Sequence, residues 1–155
     1  YADDGSLLNA STLWDFTSKE DVPLPSHNLV DIDGDNYDMA TINGKTYLIT
    51  FWATWCAPCI EEKPRLNKLK QALKDNKEIE FIDVSFDHNN EKWRQYLEKN
   101  KPLGLQLISE NQKVTSRELG FEGIPMHLIV TEDGYYKKYK SLETAQAVLH
   151  KNRSK

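Results

Sequence analysis

Cysteine is nearly absent from this chain, which holds two in 155 residues, Cys56 and Cys59. A secreted scaffold stapled by disulfides carries more, spread over longer loops, so that class is excluded. A bridge across so short a loop adds little chain-entropy stabilisation, and the pair reads as chemistry rather than stapling. Long apolar runs are missing as well. The most apolar stretch, Tyr47 to Ala53, is far too short to cross a bilayer. Charge of one sign is nowhere concentrated: Lys and Arg are scattered and the net charge is −4, so neither a nucleic-acid footprint nor a polybasic membrane patch is expected. Clustered metal ligands are lacking too. His27, His88, His127 and His150 lie far apart, whereas a zinc centre needs four ligands, so the two cysteines are not read as a metal site. Ile60 stands where a haem-attachment motif requires histidine, and no cofactor is expected.

What is present suits one globular domain with a real core, since 39% of residues are hydrophobic and 28% charged. Residues 1–22, with Leu7, Leu8, Leu13, Trp14 and Phe16 among polar neighbours, read as an N-terminal extension, and Pro23 and Pro25 mark entry to a domain over 23–152. The chain opens on Tyr1, so an upstream export signal or lipid anchor is one expectation and a cut boundary another. Residues 28–41 are β-like around an Asp33-Gly34 hairpin turn. Asp31, Asp33 and Asp35 mimic the start of a calcium loop, but Ile42 occupies the position of its closing glutamate, so the turn reading is preferred. Tyr47 to Trp52 reads as a strand covered on both faces. Beyond the cysteines, Leu66, Leu69 and Leu73 fall on one helical stripe, with Pro64 predicted to kink the helix. Ile79 to Phe86 reads as a strand, 90–100 as a helix with Trp93, Tyr96 and Leu97 inward, 105–108 as a short strand, and Val114 to Leu119 as a short helix. Met126 to Val130 and Tyr135 to Lys140 make a hairpin over Asp133-Gly134, and Leu142, Ala145, Val148 and Leu149 face inward from a closing helix. That order predicts a layered α/β domain with a mixed central sheet flanked by helices.

The strand ending near Ala53 and the helix beginning near the cysteines place Cys56 at a helix N-terminus. Free N–H groups and the helix dipole there favour negative charge, so a thiolate at Cys56 is stabilised. Cys59 lies one turn on, on the same face, and Pro58 suits the first turn, where its missing N–H is no loss. The division of labour follows: Cys56 attacks a disulfide, and Cys59 resolves the mixed disulfide. Glu62 shares a helix face with Cys59 and could take and return its proton, or could simply be solvated beside Glu61 and Lys63.

Phe51-Trp52-Ala53-Thr54-Trp55-Cys56-Ala57-Pro58-Cys59, followed by Glu62 and Pro64, resembles the thioredoxin superfamily. Over roughly residues 23–150 it is similar to the bacterial extracytoplasmic branch typified by the TlpA and ResA proteins. The resemblance implies a thioredoxin-like fold with an N-terminal hairpin and an inserted helix between Asp87 and Leu119. It implies that Gly123-Ile124-Pro125 opens the strand at Met126 with a cis-proline beside the cysteines, the alternative being an ordinary trans proline. Ile124 then holds a substrate chain through its backbone, and Trp55 covers the disulfide as part of the docking surface. Glu62 matches a glutamate of the Cys-x-x-Glu-x-Pro pattern. Thr50 stands where thioredoxins carry a buried acid, a departure that makes Glu62 the candidate proton-handling group. His127 falls on a strand, where a structural role is expected.

A peroxiredoxin-like peroxidase needs threonine three positions before its reactive cysteine, where Ala53 and Cys56 stand here. A Sco-like copper-delivery module needs three residues between its cysteines and a distal histidine, and two residues separate Cys56 from Cys59. A domain cut from a longer chain is a third alternative. The Ala57-Pro58 insert brings no cation to Cys56, which leans the pair towards a reductant. The resemblance adds a protein dithiol or disulfide as substrate, a membrane electron donor, a monomeric state and a periplasmic or cell-envelope location.

Overall fold

The computed structural model describes residues 22–153. In chain order its elements are β1 (Val22–Pro23), β2 (Asn28–Asp31), β3 (Asn36–Asp38), a 3-10 turn (Met39–Thr41), β4 (Thr46–Trp52), α1 (Ala57–Leu73), β5 (Ile79–Ser85), α2 (Asn90–Asn100), β6 (Leu105–Ile108), α3 (Gln112–Leu119), β7 (Met126–Val130), β8 (Tyr135–Tyr139) and α4 (Leu142–Arg153). Trp14 and the rest of the expected extension up to Asp21 lie outside the described residues.

The strands form one mixed sheet in the order β1-β8-β7-β4-β5-β6-β2-β3. β4 is central, parallel to β5 and antiparallel to β7. Its run Leu48 to Trp52 is wholly buried, as a strand with both faces covered must be. Strand parity divides the core. Leu48, Phe81 and Ile129 pack with Leu66, Leu69 and Leu73 of α1 and with Leu142, Ala145 and Leu149 of α4. Ile49, Phe51, Ile82, Val84, Leu128 and Val130 belong to a second cluster with Trp93, Leu119 and Phe121. The hairpin β2–β3 does not stand apart; β2 pairs antiparallel with β6 and extends the sheet. At the opposite edge, β1 pairs with Tyr135 and Tyr136 of β8.

Local chemistry explains where the elements stop. Asn89 and Asn111 accept hydrogen bonds from backbone N–H groups in the first turns of α2 and α3. Gly120 ends α3 in the left-handed conformation that glycine adopts without strain. Gly104 has φ +91°, and a Cβ there would sit 2.7 Å from the Phe81 carbonyl oxygen. Only glycine lets β6 enter so close against β5. Pro64 lies inside α1, which runs on to Leu73.

Candidate active site

β4 ends at Trp52, and Ala53 to Trp55 turn the chain into α1. The N–H of Cys56 donates to the Ala53 carbonyl at 3.1 Å, and its own carbonyl accepts from Ile60 at 3.0 Å. Cys56 is the N-cap of α1, in extended conformation, and its Sγ accepts the Cys59 N–H at 3.3 Å. Ala57 and Pro58 open the first turn, where proline leaves no helical bond unmade. The two cysteines are joined by a disulfide with Cα atoms 5.2 Å apart. Both are buried, whereas Trp55 beside them is 64% exposed.

The second wall comes from the segment before β7. The Ile124–Pro125 peptide is cis, and the Ile124 carbonyl oxygen lies 3.8 Å from Cys56 Sγ. The structure therefore brings Trp55, Cys56, Ala57, Pro58, Cys59, Ile124 and Pro125 to one end of the sheet.

Glu62 is not the freely solvated residue that its neighbours Glu61 and Lys63 allowed. Its side chain is 15% exposed, and Oε1 lies 3.0 Å from Nε2 of the fully buried His127. The other ring nitrogen of His127 lies 2.9 Å from Thr50 Oγ1. Thr50 pairs in register with His127 on β7 and Asp83 on β5, and Asp83 pairs with Gln106 on β6. A polar row thus crosses four strands beneath α1. Helix α1 meets it twice, through Glu62 at His127 and through Lys70, which donates to Asp83 and to the Leu103 carbonyl. Thr50 holds a polar place in the interior, between His127 on one neighbouring strand and the buried carboxyl of Asp83 on the other.

Asp87 supports the loop before Cys56, and Lys63 lies against the end of β4. Buried Asp87 accepts the Thr54 N–H at 3.1 Å, the Thr54 hydroxyl at 2.6 Å and the Ser85 hydroxyl at 2.6 Å. Lys63 is buried, with its ammonium 3.8 Å from the centre of the Trp52 ring and 5.9 Å from that of Tyr96. Burial lowers its pKa from 10.5 to about 8; Asp83 and Glu62 oppose the shift and Lys70 adds to it. Lys63 was legible in principle, because positions 59, 63, 66, 70 and 73 form one buried stripe of α1. Asp87 and the partner of Glu62 were not, since the bonds they make span 33 and 65 residues.

Residues 43–136 match the family described as thioredoxin-like. The chain belongs to the thioredoxin-like family. Among curated proteins it is 26% identical to the thiol-disulfide oxidoreductase ResA of Bacillus thuringiensis (strain Al Hakam), over 77% of this chain and 70% of that protein. It is 30% identical to the thiol:disulfide interchange protein DsbE of Pseudomonas fluorescens biotype C, over 72% of this chain and 61% of that protein. The thioredoxin domain of a thiol-disulfide oxidoreductase from Bacteroides vulgatus superimposes with TM-score 0.75 at 24% identity, covering 87% of this chain and 98% of that one. A thiol:disulfide interchange protein from Bacteroides sp. gives TM-score 0.72 at 25% identity, covering 84% of this chain and 88% of that one. These relatives place the chain in the thiol-disulfide oxidoreductase branch of the family.

Proposed function

We propose that this thiol-disulfide oxidoreductase delivers electrons to a disulfide of a partner protein, outside the bacterial cytoplasm. The observation that carries the reading is the Cys56–Cys59 disulfide at the start of α1, with Cys56 Sγ on a helix N–H, next to an exposed tryptophan and a backbone carbonyl. In the reduced protein the Cys56 thiolate attacks one sulfur of the partner disulfide. A mixed disulfide forms and one partner thiolate leaves. Cys59 then attacks Cys56 Sγ, closes the bridge and releases the second partner sulfur, so two electrons pass to the partner. Glu62 is one turn from Cys59 and takes up or returns its proton, with His127 holding the carboxylate in place. Trp55, Ile124 and Pro125 form the docking surface, and Ile124 offers its backbone to the substrate chain. Ala57 and Pro58 set the potential by leaving the helix N-terminus as the main stabiliser of the Cys56 thiolate.

The reductant direction is supported by the surroundings of Cys56: among the described residues no cationic side chain donates to its sulfur. A thiolate less stabilised than in a strong oxidant corresponds to a lower potential. A membrane electron donor then returns the disulfide to the dithiol. Residues 23–152 act as the working domain, as a monomer in the periplasm or cell envelope.

Two measurements test this. Cys59→Ser is expected to trap a partner on Cys56 as a mixed disulfide that dithiothreitol releases, whereas Cys56→Ser traps nothing and loses turnover. The midpoint potential is expected nearer to about −270 mV than to about −120 mV, the values of a reductant and of a strong oxidant of this fold. Turnover surviving Cys56→Ser would end the reading, and a potential at the oxidising end would reverse its direction.

A further inference from the structure

Helices α1 and α2 bound an open groove of about 710 Å³ whose lining includes Thr54, two residues before Cys56, and Ile60, the residue after Cys59. Three lysines line it, Lys63 on α1 and Lys92 and Lys99 on α2, and no carboxylate does. This is a local excess of positive charge on a chain of net charge −4. Lys92 and Lys99 are seven residues apart, two turns on one face of α2, and both are exposed. Among the described residues, no carboxylate forms an ion pair with any of the three.

Lys63 makes the groove more than a solvated basic surface. It is 6% exposed, its ammonium lies against the faces of Trp52 and Tyr96 and opens only on the groove, and among the described residues no oxygen accepts a hydrogen bond from it. Lys70, on the same stripe and equally inward, shows what a satisfied buried lysine looks like, with Asp83 and the Leu103 carbonyl as acceptors. An ammonium taken out of water without an acceptor is unfavourable, and an incoming carboxylate would supply what is missing. Contact with aromatic faces recovers part of that loss and holds the ammonium in position.

We propose that this groove docks an acidic segment of the partner protein, one carboxylate reaching Lys63 and others meeting Lys92 and Lys99. The proposal rests on the disulfide-exchange reading and names the chemistry of the partner. Lys92 and Lys99 are separated by about 10 Å along the helix, which an extended chain covers in about three residues. The partner therefore carries acidic side chains at about that spacing, a short distance along the chain from its reacting cysteine.

The test uses a cysteine-free, fluorescein-labelled peptide bearing three glutamates spaced three residues apart, and its glutamine twin. Anisotropy titrations are run on the disulfide form of the wild-type protein. The acidic peptide is expected to bind about tenfold more tightly at low salt, with the preference fading as salt shortens the screening length. Charge reversal by Lys92→Glu with Lys99→Glu is expected to abolish the preference, and Lys63→Met to reduce it. Equal affinity for the two peptides overturns the proposal, as does a preference that survives the charge reversal or is undiminished in Lys63→Met. Turnover of bis(2-hydroxyethyl) disulfide by the wild-type protein is followed in parallel. Turnover without peptide preference removes the groove and leaves the exchange reading standing; preference without turnover does the reverse.

Discussion

At the scale of single residues, Lys63 gives the clearest test of the physics. Its folded-state pKa is depressed to about 8, chiefly by burial, with Asp83 opposing. Below that pH the folded protein carries an ammonium that the unfolded chain would hold more comfortably, so the group destabilises the fold. Between pH 8 and the unfolded value near 10.5 the unfolded chain binds more protons, and stability rises with pH. Lys63→Met keeps the bulk without the charge, and is expected to raise stability at pH 7 by about 1–3 kcal/mol. The advantage should shrink from pH 8 to 10.5, which urea midpoints across that range would reveal. Glu62 invites a second test. Glu62→Gln is expected to move the titration of the Cys59 thiol, followed by thiolate absorbance in the reduced protein. His127→Asn should produce part of that effect by releasing the carboxylate, which it contacts at 3.0 Å. An unmoved thiol titration in Glu62→Gln would take the glutamate out of the exchange.

At the scale of elements, the loop between β4 and α1 and the turn into β6 are the sensitive joints. Asp87 holds Thr54 through both its N–H and its hydroxyl, two residues before Cys56. Asp87→Ala strands these donors and the Ser85 hydroxyl, and is expected to destabilise the fold by about 2–4 kcal/mol. Exchange by the folded fraction should also slow, because the helix N-terminus is no longer held against β5. Stopped-flow rates alongside denaturant curves separate the two effects. Gly104→Ala is expected to lower the urea midpoint sharply, by about 2 kcal/mol or more, since it combines a positive φ with a backbone clash. A midpoint unchanged by Gly104→Ala would mean that the turn rearranges without loss.

At the scale of the whole molecule, the disulfide and the fold are thermodynamically linked. A loop as short as that between Cys56 and Cys59 contributes about 2 kcal/mol or less through chain entropy. The rest of any difference between oxidised and reduced forms reflects how well the folded site accepts each state. A reductant has a folded state that favours the disulfide, so the oxidised protein is expected to melt several degrees above the reduced one. Calorimetry on the two forms checks this, and the opposite order would mark an oxidant. The elements read from sequence carry over to this scale with small shifts. The pattern over Val114 to Leu119 starts at Gln112 in the structure, because Asn111 caps the helix. The strand expected to reach Phe86 ends at Ser85, where β5 gives way to the loop carrying Asp87.

What the sequence determined alone is what local chain physics controls. A buried run ending in Trp52, a proline in the first helical turn and two cysteines one turn apart are enough to put Cys56 at the cap and Cys59 behind it. The same periodicities predicted a layered α/β domain with a mixed sheet, and the resemblance carried by the Phe51 to Cys59 motif implied its thioredoxin-like form. Tertiary structure decided the rest, because it depends on which strands become neighbours. Only the pairing of β7 with β4 brings His127 to Thr50 and Glu62. Only the packing of α2 beside α1 encloses Lys63 against Trp52 and Tyr96 and lines a groove with Lys92 and Lys99. Contacts between residues tens of positions apart leave no periodic trace in one sequence, so they became visible only once the chain was folded.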